Sequence, residues 1–207
     1  MNLKTRQRFY QVSNEHESRG SMVASKRRTV LLGVALLVFL VLAYTENRAF
    51  FEYSGSLFVN PITAEKTLFA VAIVFIHNVL VVSLILLAMT FYVELVLSFF
   101  KPKKYEYVVL QHPRLFALVF TGMIILLSIL RASMIVFGSV VMSGLATFVL
   151  LSLPNGIIEG YGIYLTIKET LRRSMTLRIL LTIYILFFFA AIVEVGFIQL
   201  LLMISVN

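Results

Sequence analysis

Two carboxyls (Glu159, Glu194), two carboxamides (Asn78, Asn155), one imidazole (His77) and one guanidinium (Arg131) stand inside long apolar stretches of this sequence. In hydrocarbon each ionisable group costs at least about 2.5 to 3.5 kcal/mol on insertion scales, so each must face protein or water and find a partner. Such groups can pair as ions, tie helices by hydrogen bonds, or bind a proton or cation. They offer no recognisable catalysis. The chain has no cysteine and no aspartate, which removes thiol catalysis, thiolate metal sites, an aspartyl dyad and an Asp-containing triad. Its three histidines, His16, His77 and His112, fall in three different segments, with no His-Glu-x-x-His pattern and no glycine-rich phosphate loop. The sequence therefore predicts no catalytic residue, no metal ligand set and no cofactor.

The segments that carry these groups are too apolar for a soluble globule. Hydrophobic residues make up 60% of the 207, against about 45 to 50% in soluble domains, and the mean hydropathy is +0.95. From Thr67 to Phe100, 34 residues contain only His77, Asn78 and Glu94 as strongly polar side chains, and about 20 helical residues suffice to span a bilayer. The pattern predicts an all-α, polytopic membrane protein with five transmembrane helices over residues 29–44, 67–97, 115–137, 145–167 and 179–204. Residues 1–28 form a basic cytoplasmic tail ahead of a membrane domain over 29–204. The first run resembles a signal peptide in length, but its basic leader is long and no small-x-small cleavage site precedes Glu46, so it reads as a retained span. Continuous apolar runs without inside/outside alternation exclude a β-barrel.

Charge orients the spans. This topology puts 15 of the 18 bases on the cytoplasmic face, leaving Arg48 and Lys66 outside and Arg131 within a span, as the positive-inside rule requires. The N-terminus is then cytoplasmic, the C-terminus outside, and the location the cell membrane, crossed several times. The net charge of +8 is explained by membrane lipids as partners, because basic loops attract anionic headgroups at about 1 kcal/mol per base. Nucleic acid is not implied. The segment from Tyr44 to Lys66 reads as the largest external loop, with Phe50 and its aromatic neighbours at the interface, and residues 138–144 as a tight external turn.

Counted from the cytoplasmic boundaries, Arg131 and Glu194 both lie about 23 Å up, matched in depth and opposite in charge. They are candidates for an interhelical ion pair; in the alternative, Arg131 snorkels outward and Glu194 is neutral or hydrogen-bonded. The fourth span contains Leu153-Pro154-Asn155-Gly156-Ile157-Ile158-Glu159-Gly160. Proline there removes a backbone bond, and Gly156 and Gly160 expose backbone for helix packing, within the chain or in a homodimer. Ser152, Asn155, Glu159, Gly162 and Thr166 share a face beside that glycine stripe. Such a face serves either as glue between helices or as part of a substrate path. His77 and Asn78 point about 100° apart, with Glu94 on a further face, so these three form no relay by themselves.

Three of these segments resemble the stage II sporulation protein M family of polytopic membrane proteins. The run Leu153 to Glu159 is similar to that family's Leu-Pro-His-Gly followed by Glu. Ala190-Ala191-Ile192-Val193-Glu194 is similar to its Ala-Ala-x-x-Glu, and Phe75-Ile76-His77-Asn78 to its Asn-bearing second-span motif. The resemblance covers residues 29–200. Asn155 stands where the family has histidine, and Val195 to Gln199 lack its threonine-proline ending. The resemblance implies a membrane scaffold that works with protein partners, in spore formers with cell-wall hydrolases during engulfment. The residues alone leave a second class open, a transporter or channel component with a polar path at Glu159.

Overall fold

A computed structural model of the protein describes residues 26–48, 50, 64–99, 108–137 and 142–206. All regular structure among them is helical. The long helices are α1 (Lys26–Arg48), α2 (Ala64–Phe99), α4 (Pro113–Phe137), α5 (Met142–Leu171) and α6 (Leu177–Val206), with a short α3 (Val108–Gln111) leading into α4. The ends agree with the sequence-based spans to within four residues. Four of the helices, α1, α2, α4 and α6, are long and apolar enough to cross a membrane, the make-up of a multi-pass membrane protein. The fifth, α5, is equally long at 30 residues but carries Asn155, Glu159, Lys168 and Glu169 on its length. It continues unbroken through Pro154.

α5 is the hub, packing against α2, α4 and α6. Side-chain contacts fix the directions. Thr67 meets Gln199 and Ser83 meets Tyr184, so α2 and α6 are antiparallel. Gly162 lies against Phe187, and Asn155 against Glu194, so α5 and α6 are antiparallel. Gly160 lies between Thr121 and Ile125 of α4. On α1, Gly33 abuts the Phe91 ring and Glu46 reaches His77, placing α1 antiparallel to α2.

Large side chains of the outer faces, such as Leu37, Leu68, Leu126 and Ile185, are exposed, as expected where lipid takes the place of water. Inside, Val82, Val93, Ala117, Ile163, Ile167, Leu171, Ile183 and Phe187 form one apolar cluster. Ala70, Val74, Ala191 and Val195 form a second, between α2 and α6. Within a bilayer apolar burial gives little drive for association, so close packing must supply it. Glycine does so where helices approach most closely. A Cβ at Gly162 would stand 2.7 Å from the Phe187 ring, and one at Gly160 would stand 2.8 Å from Ile125. Gly156 departs from the expected packing stripe, since nothing lies within 4 Å of where its Cβ would be. Buried Thr166 and Thr170 satisfy their hydroxyls on the helix itself, donating to the carbonyls of Gly162 and Thr166 at 2.8 and 2.6 Å.

α5 ends in a Schellman turn. Arg173 N–H donates to Thr170 O and Ser174 N–H to Glu169 O, both at 3.0 Å, with Arg173 at φ 57°. That left-handed position usually takes glycine and costs a side-chain-bearing residue about 1 to 2 kcal/mol. Arg173 is held there while its guanidinium donates to Glu94 Oε1 on α2 at 3.1 Å. Beside it, Glu169 accepts from Ser174 Oγ at 2.5 Å and pairs with Lys168 at 2.8 Å. Lys168 first, and Ser174 next, hold the Glu169 carboxyl below its ordinary value of 4.5.

Gly162→Val should lower stability by about 1 to 3 kcal/mol through overpacking against Phe187. Gly122→Ala, where nothing lies within 4 Å, should be neutral or slightly stabilising; thermal unfolding in detergent measures both. Because the Glu169 carboxyl is depressed, its contribution is complete above the ordinary value of 4.5 and is lost as pH falls through the lowered one. The melting difference between the wild type and Glu169→Gln should therefore be present near neutral pH and shrink only as pH falls below 4.5.

Candidate functional site

Where α2, α5 and α6 meet, the sequence's polar residues gather. Asn155 and Glu159 are one turn apart on α5, so both face the same side of that helix. Asn78 on α2 is buried, at 8% exposure, and its Nδ2 donates to Glu159 Oε1 at 2.9 Å. Asn155 Nδ2 donates to Glu194 Oε2 on α6 at 3.1 Å. Asn155, one turn from Glu159 and bonded to Glu194, joins the two carboxyls in one cluster. The Asn155 Oδ1 atom is buried and has no hydrogen-bond partner among the described residues.

This arrangement is a two-level ladder. Asn78 and Glu159 make one rung between α2 and α5, and Asn155 and Glu194 make the next between α5 and α6. Each carboxyl thereby receives a donor that it would otherwise have to take from water.

His77 is not part of the ladder. It points toward α1, where Nδ1 lies 2.9 Å from Glu46 Oε2, and the Phe50 ring stacks on its imidazole at 4.1 Å between centroids. Sequence reasoning had separated His77 from Asn78 by angle, and the structure gives them different partners on different helices. Glu94 goes to Arg173. The Arg131 side chain lies outside the described residues, as do residues 138–141 of the expected turn. Glu194, the proposed partner of Arg131, takes the Asn155 amide. Ser152 also has its side chain outside the described residues.

Two features escaped the sequence. Glu46, assigned to an external loop, is on the last turn of α1, because that helix extends to Arg48. Glu194, read as a candidate partner of Arg131, and Glu159, read with Asn155 on one face of its helix, belong to one cluster through Asn155. Their relation depends on the crossing of α5 and α6, which no local spacing encodes, although the shared motif character of the two carboxyls was visible.

No family model, curated protein or solved structure matches the chain. Among the described residues, no three His, Cys, Asp or Glu side chains gather as a metal site. The chemistry of the cluster itself is therefore the ground for any functional reading.

A double-mutant cycle tests the ladder. Asn78→Ala and Glu159→Ala should each destabilise the protein, and together less than additively, with a coupling energy of about 0.6 to 1.7 kcal/mol as for hydrogen bonds between membrane helices. Thermal or chemical unfolding in detergent reports the cycle; additive losses would mean that the Asn78–Glu159 contact contributes nothing.

Proposed function

We propose that this protein is a five-span scaffold of the cell membrane, with its N-terminus in the cytoplasm and its C-terminus outside, which anchors or assembles a complex of protein partners without catalysis of its own. One observation carries the reading: Asn78, Asn155, Glu159 and Glu194 are engaged with one another across three helices, so the motif groups fix the shape of the bundle. The alternating directions of α1, α2, α4, α5 and α6 support five crossings. In that count α5 is a crossing made acceptable by its central position, where its polar groups meet protein. The resemblance to the stage II sporulation protein M family supports a scaffold role, because its three motifs supply these same four residues.

A second reading rests on a separate observation. Asn155 stands one turn from Glu159 on α5 and holds Glu194 of α6, and its Oδ1 is buried with no hydrogen-bond partner among the described residues. A proton or small cation bound there would satisfy all three groups, as in the interior sites of transporters.

Glu159→Gln separates the readings, since glutamine keeps the shape and can still accept from Asn78. In proteoliposomes under a proton or cation gradient, a scaffold shows no flux in either form. Its Glu159→Leu variant should lose partners in cross-linking and co-purification from native membranes, while Glu159→Gln retains them. Gradient-driven flux in the wild type that Glu159→Gln abolishes would overturn the scaffold reading and establish the transporter.

A further inference from the structure

Between α4 and α5 lies an open groove of about 440 Å³. Its floor is formed by Gly156 and Gly160, and Leu118, Tyr161 and Tyr164 are among its walls. Gly160 is closed over by Ile125, but Gly156 has nothing within 4 Å of a Cβ position. The backbone there is bare. One wall carries an anomaly: Thr121 lines the groove at 7% exposure, and its Oγ1 is buried without a hydrogen-bond partner. Thr166 and Thr170, equally buried, bond to their own helix. The Thr121 hydroxyl is therefore a donor and acceptor left over in an otherwise hydrocarbon-like trough.

Helical register says what lies at the mouth. Arg114 is four residues before Leu118, and Lys168 four after Tyr164, so each base continues the groove face of its own helix by one turn. Only residues 138–141 separate α4 from α5, so the two helices run antiparallel, and the contact of Gly160 with Thr121 and Ile125 then sets a register that brings the Arg114 and Lys168 levels together. Lys168 Nζ lies 5.5 Å from the centroid of the Tyr164 ring, a groove wall. Arg172 follows one turn further. Glu169 pairs with Lys168 at 2.8 Å, and Arg114, Lys168 and Arg172 together outnumber that one acid at this end. The groove is thus apolar along its length, has a single buried hydroxyl about 10 Å of helix rise in from Arg114, and is basic at one end.

We propose that this groove binds one anionic phospholipid of the bilayer. The phosphate sits between Arg114 and Lys168, an ester carbonyl of the glycerol accepts from Thr121 Oγ1 below it, and an acyl chain lies over Gly156. Charge complementarity selects this occupant over a second copy of the chain. In a two-fold dimer joined at this face, the Arg114 and Lys168 pairs of both copies would stand at the same depth and repel. The inference depends on the membrane assignment alone and stands whether the protein is a scaffold or a transporter.

The test reconstitutes the full chain in phosphatidylcholine nanodiscs holding a trace of phosphatidylglycerol with a photoactivatable acyl chain, and maps cross-links by mass spectrometry. Labelled phosphatidylglycerol should attach to the groove walls of α4 and α5, and similarly labelled phosphatidylcholine far less. Arg114→Gln and Lys168→Gln should each reduce capture about fivefold, the weight of one base toward an anionic surface. Gly156→Leu should reduce it by filling the trough. Thr121→Val, nearly isosteric, should weaken capture with the helical circular dichroism unchanged, which keeps the result separate from misfolding. Equal capture of the two lipids, indifference to both base substitutions, or cross-links from this face to a second copy would overturn the proposal.

Discussion

A carboxyl surrounded by hydrocarbon has to be met by a donor, and this bundle contains two such carboxyls within reach of each other. That requirement governs how α2, α5 and α6 associate. Sliding α5 along α6 by one turn would separate Asn155 from Glu194, and shifting α2 would withdraw Asn78 from Glu159; either change strands a carboxyl at several kcal/mol. Apolar contacts between membrane helices select register weakly, because a leucine is nearly as well placed against lipid as against leucine. The ladder supplies the selectivity that such contacts lack. Further polar rungs, Thr67 with Gln199 and Ser83 with Tyr184, hold α2 and α6 in the same alignment.

Packing then follows the ladder. Gly162 admits the Phe187 ring below the Asn155–Glu194 rung, and the larger apolar cluster fills the bundle from there toward the end where Glu94 and Arg173 meet. The polar ladder and the ionic contact at the far end brace the same three helices from opposite ends of this core. α1 joins from the side through Glu46 and His77, with little of its surface buried.

Much of the fold was legible because membrane helices announce themselves by length and apolarity: charged residues mark the starts of α2, α4 and α6 and the end of α2. The position of α1 was misjudged at its C-terminal end because Glu46 and Arg48 read as loop residues, whereas Glu46 continues the helix and finds a partner on α2. In the site, the residue types pointed to the interior, and the shared face of Asn155 and Glu159 followed from 100° per residue. Their pairings did not. The depth match of Glu194 with Arg131 involves a side chain outside the described residues, whereas the bond that Glu194 accepts from the Asn155 carboxamide on the adjacent helix had no signal in the sequence. The glycine spacing was informative in half: Gly160 touches α4 closely, while Gly156, four residues away, looks into the open groove. Arg173 in a left-handed conformation was invisible, since sequence rules expect glycine there.

The brief connection between α5 and α6, residues 172–176, bears on how the protein enters its membrane. α5 has the least apolar composition of the long helices, and lipid would resist it on its own. A partner for its polar groups follows immediately in the chain, and the bond from Asn155 to Glu194 closes within that hairpin. Insertion is therefore expected to proceed with the two helices as one unit, the later and greasier segment chaperoning the earlier.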